Sequence, residues 1–346
     1  MFEVQLEKYA QGGYRIYRVP GIICTRKGTL IVCYECRYGG DWSAMDLVVR
    51  RSTDGGRIWS DRVLVASGRK IDVVHNGILF ADGDRVHLLW HRNYRQGFCM
   101  TSSDEGQTWS EPVEMSAAYE QLRDRYNWTV IAAGPGHGLT VSSGRMIIPV
   151  WVSANRELIT SHHPSVVTTL YSDDHGKTWT CGEIIWDTRD FVDPNESVLA
   201  ELSDGRIMMN SRHETGEDCR KVGYSPDGIH EWSRFESDLR LMDPVCCAGM
   251  TQGDGYLWFV NCACTRKEGR RHLTVRQSAD DGNTWPCALE IALDGGYSDI
   301  CYDPRNRMLH IIAETGRATE DPFSFGLSVF SFFISEIEGR KESVQE

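Results

Sequence analysis

The sequence predicts an all-β chain folded as a β-propeller. Three observations predict it: a recurring octapeptide, an interval between copies of about the size of a blade, and many short apolar runs with one helical segment among them. The octapeptide reads STDGGRIW from Ser52, SSDEGQTW from Ser102, SDDHGKTW from Ser172 and SADDGNTW from Ser278. A degenerate copy, SPDGIHEW, starts at Ser225 with its glycine one place early. The pattern is S-x-D-x-G-x-x-W, at intervals of 50, 70, 53 and 53 residues. Repeats of about 50 residues, each holding several strands and one stereotyped hairpin, fit propeller blades.

In chain order, YRVPG opens the first strand run, and GTLIVCYEC and DLVVRRS lead into the first octapeptide. RVHLLWHRN precedes the second copy. SAAYEQLRDRY (Ser116 to Tyr126) follows it and reads as a helix inside the longest interval. RMIIPVWV and SVVTTLYS reach the third copy, RIMMNSRH the degenerate one, and HLTVRQS the last. RMLHIIAE and SVFSFFISEI complete the strand signals. Within each octapeptide the Ser and Asp side chains hydrogen-bond nearby amides, the Gly takes a positive φ, and the Trp pins the turn onto apolar neighbours. These copies are expected to be turn staples, remote from any active site.

Composition narrows the function classes. With 41% apolar and 25% charged residues in 346, the chain has material for a substantial core, and it reads as a single propeller domain over 1–346. A net charge of −12 argues against a nucleic-acid or anionic-membrane surface, both of which need clustered Lys and Arg. No apolar run approaches the roughly 20 residues that span a bilayer. MFEVQLEKYAQGGYR has no basic segment followed by an apolar stretch, so a cytoplasmic protein is expected. Twelve cysteines are many, but Cys33, Cys36, Cys246, Cys247, Cys262 and Cys264 sit in apolar runs. Cys262 and Cys264 alternate, which puts both on one face of a strand. Reduced, buried thiols are expected, with no metal and no disulfide framework.

The octapeptides are similar to the Asp-boxes of the sialidase superfamily, and the chain resembles a six-bladed sialidase propeller of four-stranded antiparallel sheets over nearly its whole length. The blade number comes from that resemblance, because five boxes do not count blades. YRVP resembles the family's Arg-Ile-Pro signature, with Val19 in place of Ile, and points to Arg18. NSRH and GRRHLTVR resemble the other two positions of an arginine triad, Arg212 and Arg270. Planar guanidinium forks bind a carboxylate bidentately and stay charged, which suits a sugar with a carboxylate on its anomeric carbon. Glu314 in IIAETG resembles the glutamate that holds the first arginine.

The resemblance also implies the reacting groups. A carboxylate nucleophile would be repelled by the substrate's own carboxylate, whereas a neutral tyrosine is not. Tyr297 in GGYSDI fits that role, with Glu196 in PNESVLAEL as its base and the two glycines letting a substrate approach. ECRYGGDWSAMDLVVRR offers Asp41 and Asp46 as acid/base; Asp41, nine residues before Arg50, has the family's spacing and is preferred. Arg37, ending the preceding strand, is placed near it and near the substrate. AAGPGHGLTV resembles a further stretch of the family, its glycines letting backbone approach the site. Trp42, Met45 and Trp128 are candidates to line an N-acyl pocket, with core packing the alternative for each. His162 and His163 lack ligand spacing and read as exposed.

The implied activity is retaining hydrolysis of sialylated glycans or oligosaccharides, with no metal or organic cofactor. Alternatives are an enzyme of another nonulosonic acid, one that releases an anhydro product, a non-catalytic glycan-binding propeller, and a structural propeller that keeps only the boxes. The degenerate box, Val19 and a length with no room for a lectin-like domain depart from the family, and none of them touches the reacting set.

Overall fold

The computed structural model describes residues 1–155, 157–158, 161–319 and 323–340. Six sheets succeed one another along the chain. Blade 1 runs through Ile16–Cys24, Leu30–Arg37, Met45–Ser52 and Val63–Ser67, each strand antiparallel to the last. Blades 2, 4 and 5 repeat this order from Val74–Asp82, Ser197–Glu201 and Gly249–Gly253, and blade 3 starts at Val130–Ala133. Blade 6 takes three strands from Ser298–Asp303 onward and its fourth from Phe2–Glu7, which pairs with Gly326–Phe333 and so closes the ring.

Two sheets exceed the expected four strands. Leu139–Thr140 adds to blade 3, and Gly136–His137 pairs parallel with Ile78 and Leu79 of blade 2. The glycines of AAGPGHGLTV explain the second addition. A Cβ on Gly134 would lie 2.4 Å from Ile78 Cδ1 of blade 2, and one on Gly21 would lie 2.3 Å from the Gly136 carbonyl oxygen. That approach is to the inner strand of blade 1, and no residue of the segment lines the pocket described below. His137 is further tied by its Nδ1, 2.8 Å from Asp299 of blade 6, whose other oxygen accepts from the Ile22 amide at 2.9 Å.

Apolar side chains pack between blades rather than in one central core. Ile22, Val32 and Val48 of blade 1 meet Ile312, Leu327 and Val329 of blade 6. On the other side Ile31, Cys33 and Leu47 meet Leu79, Leu88 and Trp90 of blade 2. Middle strands are therefore buried on both faces, which is why LIVCYECR is apolar almost throughout. All twelve cysteines are free thiols, nine of them buried and Cys24, Cys181 and Cys287 partly exposed.

Each box forms the predicted staple between the third and fourth strands of its blade. In the first, the Gly56 amide donates to Ser52 Oγ at 3.0 Å and the Arg57 and Ile58 amides donate to Asp54 Oδ1, both at 3.0 Å. Trp59 Nε1 donates to the Gly56 carbonyl at 3.0 Å. The degenerate copy keeps the geometry one residue tighter, with the Ile229 and His230 amides on Asp227 Oδ1. The helix is shorter than expected, spanning Ser116–Glu120, because Met115 at its N-cap has no side-chain oxygen and the chain turns back through Leu122.

Candidate active site

The pocket of interest, about 200 Å³, is walled by residues from several blades. A β-bulge between Arg18 and Gly21 breaks the pairing of the innermost strand of blade 1. Val19 at the bulge has φ 54°, a strained value for a β-branched residue, and its amide donates to Glu314 Oε1 at 3.2 Å. Arg18 Nε donates to the same Glu314 oxygen at 2.9 Å. Glu314 also accepts the Tyr297 amide at 3.2 Å. One buried carboxylate thus holds the first arginine and the backbone of Tyr297. The glycines before Tyr297 make room for protein rather than for a substrate: a Cβ on Gly296 would lie 2.4 Å from Glu314 Oε2, and one on Gly295 3.1 Å from Leu273 Cβ.

Glu196 and Arg212 face each other at the open end of the hairpin formed by Ser197–Glu201 and Ile207–Ser211. Arg212 Nη1 donates to Glu196 Oε2 at 2.5 Å and to the Tyr297 hydroxyl oxygen at 3.0 Å. Because that oxygen already accepts from Arg212, the tyrosine proton points at Glu196, to which the hydroxyl donates a short hydrogen bond. Burial, then Glu196, pushes the Tyr297 pKa well above its ordinary value, against the pull of Arg212, Arg270 and Arg18. Burial also opposes the charge on Glu196, yet Arg212 and the tyrosine hydroxyl outweigh it and leave its pKa lowered. The pair rests as tyrosine and glutamate, with the proton aimed at its acceptor.

The arginines surround the same ring. The guanidinium carbons of Arg18 and Arg270 lie 4.7 and 4.9 Å from the Tyr297 ring centroid. Arg270 Nη1 and Arg212 Nε are buried and have no hydrogen-bond partner. Such donors are costly to leave unsatisfied unless an acceptor arrives. Arg37 is held otherwise, by Glu35 at 2.6 Å and by a short contact to Asp41. Asp41 sits in the loop after Arg37, with its side chain 44% exposed and 3.9 Å from Arg18. Burial raises its pKa, but Arg37 and Arg18 win and hold it at about 2. Asp46, the rival, is buried and accepts from Tyr14, Ser67 and Gly68, away from the pocket.

All the sequence-predicted site residues except Glu314 line the pocket, and Glu314 lies directly beneath it. The candidates for an N-acyl pocket fare differently. Met45 and Trp128 are fully packed in interblade clusters, Trp128 with its Nε1 donating to the Tyr119 carbonyl at 3.0 Å. Trp42 lies outside the lining set but stacks on it, 4.4 Å from the Tyr94 ring. His163 is exposed as expected, whereas His162 is turned inward, its ring 5.2 Å from Trp151 and 5.2 Å from Tyr94. Burial lowers its pKa, so the imidazole is neutral. Tyr94, Trp151, Asn195 and Phe323 are lining residues that the sequence did not reveal. Glu35 had a usable signal, since it lies two residues before Arg37 in one strand and so shares its face.

Among the described residues one further set of potential metal ligands, His213, Glu217 and Cys219, draws together. Both nitrogens of His213 are already engaged, Nε2 with the Cys219 carbonyl and Nδ1 with the Thr215 amide, so no lone pair faces an ion.

Several known proteins resemble this chain in sequence or in fold. A sialidase of Micromonospora viridifaciens is 29% identical over 323 residues, covering 82% of this chain and 47% of its own length. A sialidase of Bacteroides fragilis is 27% identical over 321 residues, covering 81% and 56%. The chain spans about half the length of these curated relatives. Among solved structures, the Hadza microbial sialidase Hz136 superposes with a TM-score of 0.79 at 22% identity, covering 97% of this chain and 69% of the other. The intramolecular trans-sialidase from Ruminococcus gnavus gives 0.75 at 16% identity, covering 96% and 98%. These likenesses support the fold. The model of the BNR repeat-like domain matches residues 28–311, most of the chain and all five boxes. With boxes, propeller and family model in agreement, the chain belongs to the BNR repeat-like family of the sialidase superfamily.

Proposed function

We propose that this chain is an exo-α-sialidase that releases terminal α-linked sialic acids with retention of configuration, through a tyrosine nucleophile. The observation that carries the reading is the set of buried, unpartnered guanidinium N–H groups on Arg212 and Arg270 around a Tyr297 hydroxyl already bonded to Glu196. Arg18, Arg212 and Arg270 receive the carboxylate on the anomeric carbon. Tyr297 attacks that carbon as its proton passes to Glu196, and the glycosidic oxygen leaves with a proton from Asp41. Asp41 then takes a proton from water, which displaces the tyrosine oxygen, and Glu196 returns the proton to Tyr297. Two inversions give net retention.

Asp41 starts in the wrong protonation state for an acid, at about 2. The substrate corrects this. Its carboxylate offsets the positive field of Arg18, and its bulk removes water from the Asp41 side chain; both raise the aspartate pKa. The resting Tyr297 is likewise unreactive until attack begins. The three arginines that lower its pKa then stabilise the developing phenolate.

Tyr297→Phe keeps the ring and the flanking cations but removes the attacking oxygen. Release of chromophore from an aryl α-sialoside is expected to fall by about 10³-fold or more, with thermal unfolding unchanged. Turnover at the wild-type rate in that variant overturns the reading. NMR of the product formed from sialyllactose isomers distinguishes a retained free sugar from an anhydro product.

A further inference from the structure

Two buried thiols outside this chemistry touch the backbone at both of its key residues. Cys262 ends the second strand of blade 5, and Cys264 follows it. The Cys264 sulfur lies 2.7 Å from the Gly269 carbonyl oxygen and 3.3 Å from that of Arg271, and it accepts the Arg271 amide at 3.4 Å. These contacts flank a single residue, Arg270. Cys262 Sγ donates to the Gly296 carbonyl at 3.5 Å, on the peptide that leads into Tyr297. The Gly295 amide in turn donates to the Arg270 carbonyl at 3.4 Å, joining the two segments. Cys246, Val19 and Tyr297 pack in the same cluster as the two thiols.

A thiol is a weak donor, and a buried cysteine is usually only a small apolar side chain. Here it has more to hold. Arg270 lies outside the strand Arg271–Ser278 and its Nη1 has no partner, so beyond its packing on the Tyr297 ring its backbone helps to set its direction. We propose that Cys264 is a positioning residue for Arg270, and Cys262 for Tyr297. The kinetic consequences rest on the sialidase reading above. Arg270 meets the carboxylate, so loosening it weakens binding. Tyr297 attacks, so loosening it slows chemistry.

The test is a split between KM and kcat on an aryl α-sialoside. Cys264→Ala is expected to raise KM about five- to tenfold with kcat within about twofold, and Cys262→Ala to lower kcat about five- to tenfold with KM within about twofold. Cys264→Ser, which can donate and accept as the thiol does, restores KM to within about twofold of wild type. Cys99→Ala, at a buried cysteine in the core between blades 2 and 3, is the control and leaves both constants unchanged. The proposal is overturned if Cys264→Ala matches Cys99→Ala, or if both constants worsen only in proportion to lost thermal stability. Absence of turnover in the wild-type protein removes the sialidase reading and leaves the positioning claim to a crystal structure of Cys264→Ala. An Arg270 guanidinium still 4.9 Å from the Tyr297 ring there overturns the proposal, and a displaced one supports it.

Discussion

Asp46 accepts from the Tyr14 hydroxyl at 2.7 Å, the Ser67 hydroxyl at 2.6 Å and the Gly68 amide at 3.0 Å, and so pins three segments of blade 1. Asp41, in the loop before it, keeps much of its carboxyl in water. Asp46→Asn should therefore cost about 1–3 kcal/mol of stability and leave kcat of the folded protein alone. Asp41→Asn should leave stability alone and lower kcat on sialyllactose by about 10²–10⁴-fold. With a 4-nitrophenyl leaving group, which needs little protonation, the Asp41→Asn loss shrinks. Unfolding scans and parallel kinetics on the two substrates check both outcomes. The candidate set was readable because the motifs around it resemble those of a known family, with arginines and a glutamate at the ends of apolar strands. Tyr94, Trp151 and His162 were not. An aromatic ring inside WHRNY or PVWV looks the same whether it faces a neighbouring blade or a pocket, and only the ring's curvature decides between them.

Among the elements, the boxes were read correctly from sequence because the hydrogen bonds that shape each turn are local. Ser, Asp and Gly meet within four residues, so no tertiary contact is needed to predict the turn. The Thr178 hydroxyl and amide hold the Asp174 carboxyl at about 2, and Thr108 does the same for Asp104. Their folded pKa values lie below the ordinary 3.8, so their stabilisation is complete above about pH 4 and is lost as pH falls toward 2. Tm measured from pH 5 to pH 2 should drop, and Asp104→Asn/Asp174→Asn should flatten the drop. These carboxylates are exposed and screened, so each effect is small. No box residue lines the pocket, and the double variant should keep its kcat/KM. The short strand Gly136–His137 escaped sequence reading for the opposite reason: it pairs with Ile78 and Leu79, far earlier in the chain, guided by glycines that promise only a close approach.

For the whole molecule, closure by Phe2–Glu7 is decisive. Val4 pairs with Val329, and without this strand the Gly326–Phe333 edge of blade 6 is left unpaired. Deleting residues 2–7 should lower Tm and abolish turnover together, since the interblade cluster that includes Leu6 and Val329 also holds Tyr17, next to Arg18, and Ile312, in the strand of Glu314. Calorimetry and a sialoside assay on the same preparation test this, and retained turnover in the deletion would count against a closed ring as the active form.

The bond between Arg18 and Glu314 joins residues 296 apart, across the seam where blade 6 meets blade 1. A chain still leaving the ribosome exposes Arg18 long before Tyr297 and the glutamate that anchors both. On the sialidase reading, turnover waits until the sixth sheet has emerged and the circle has shut.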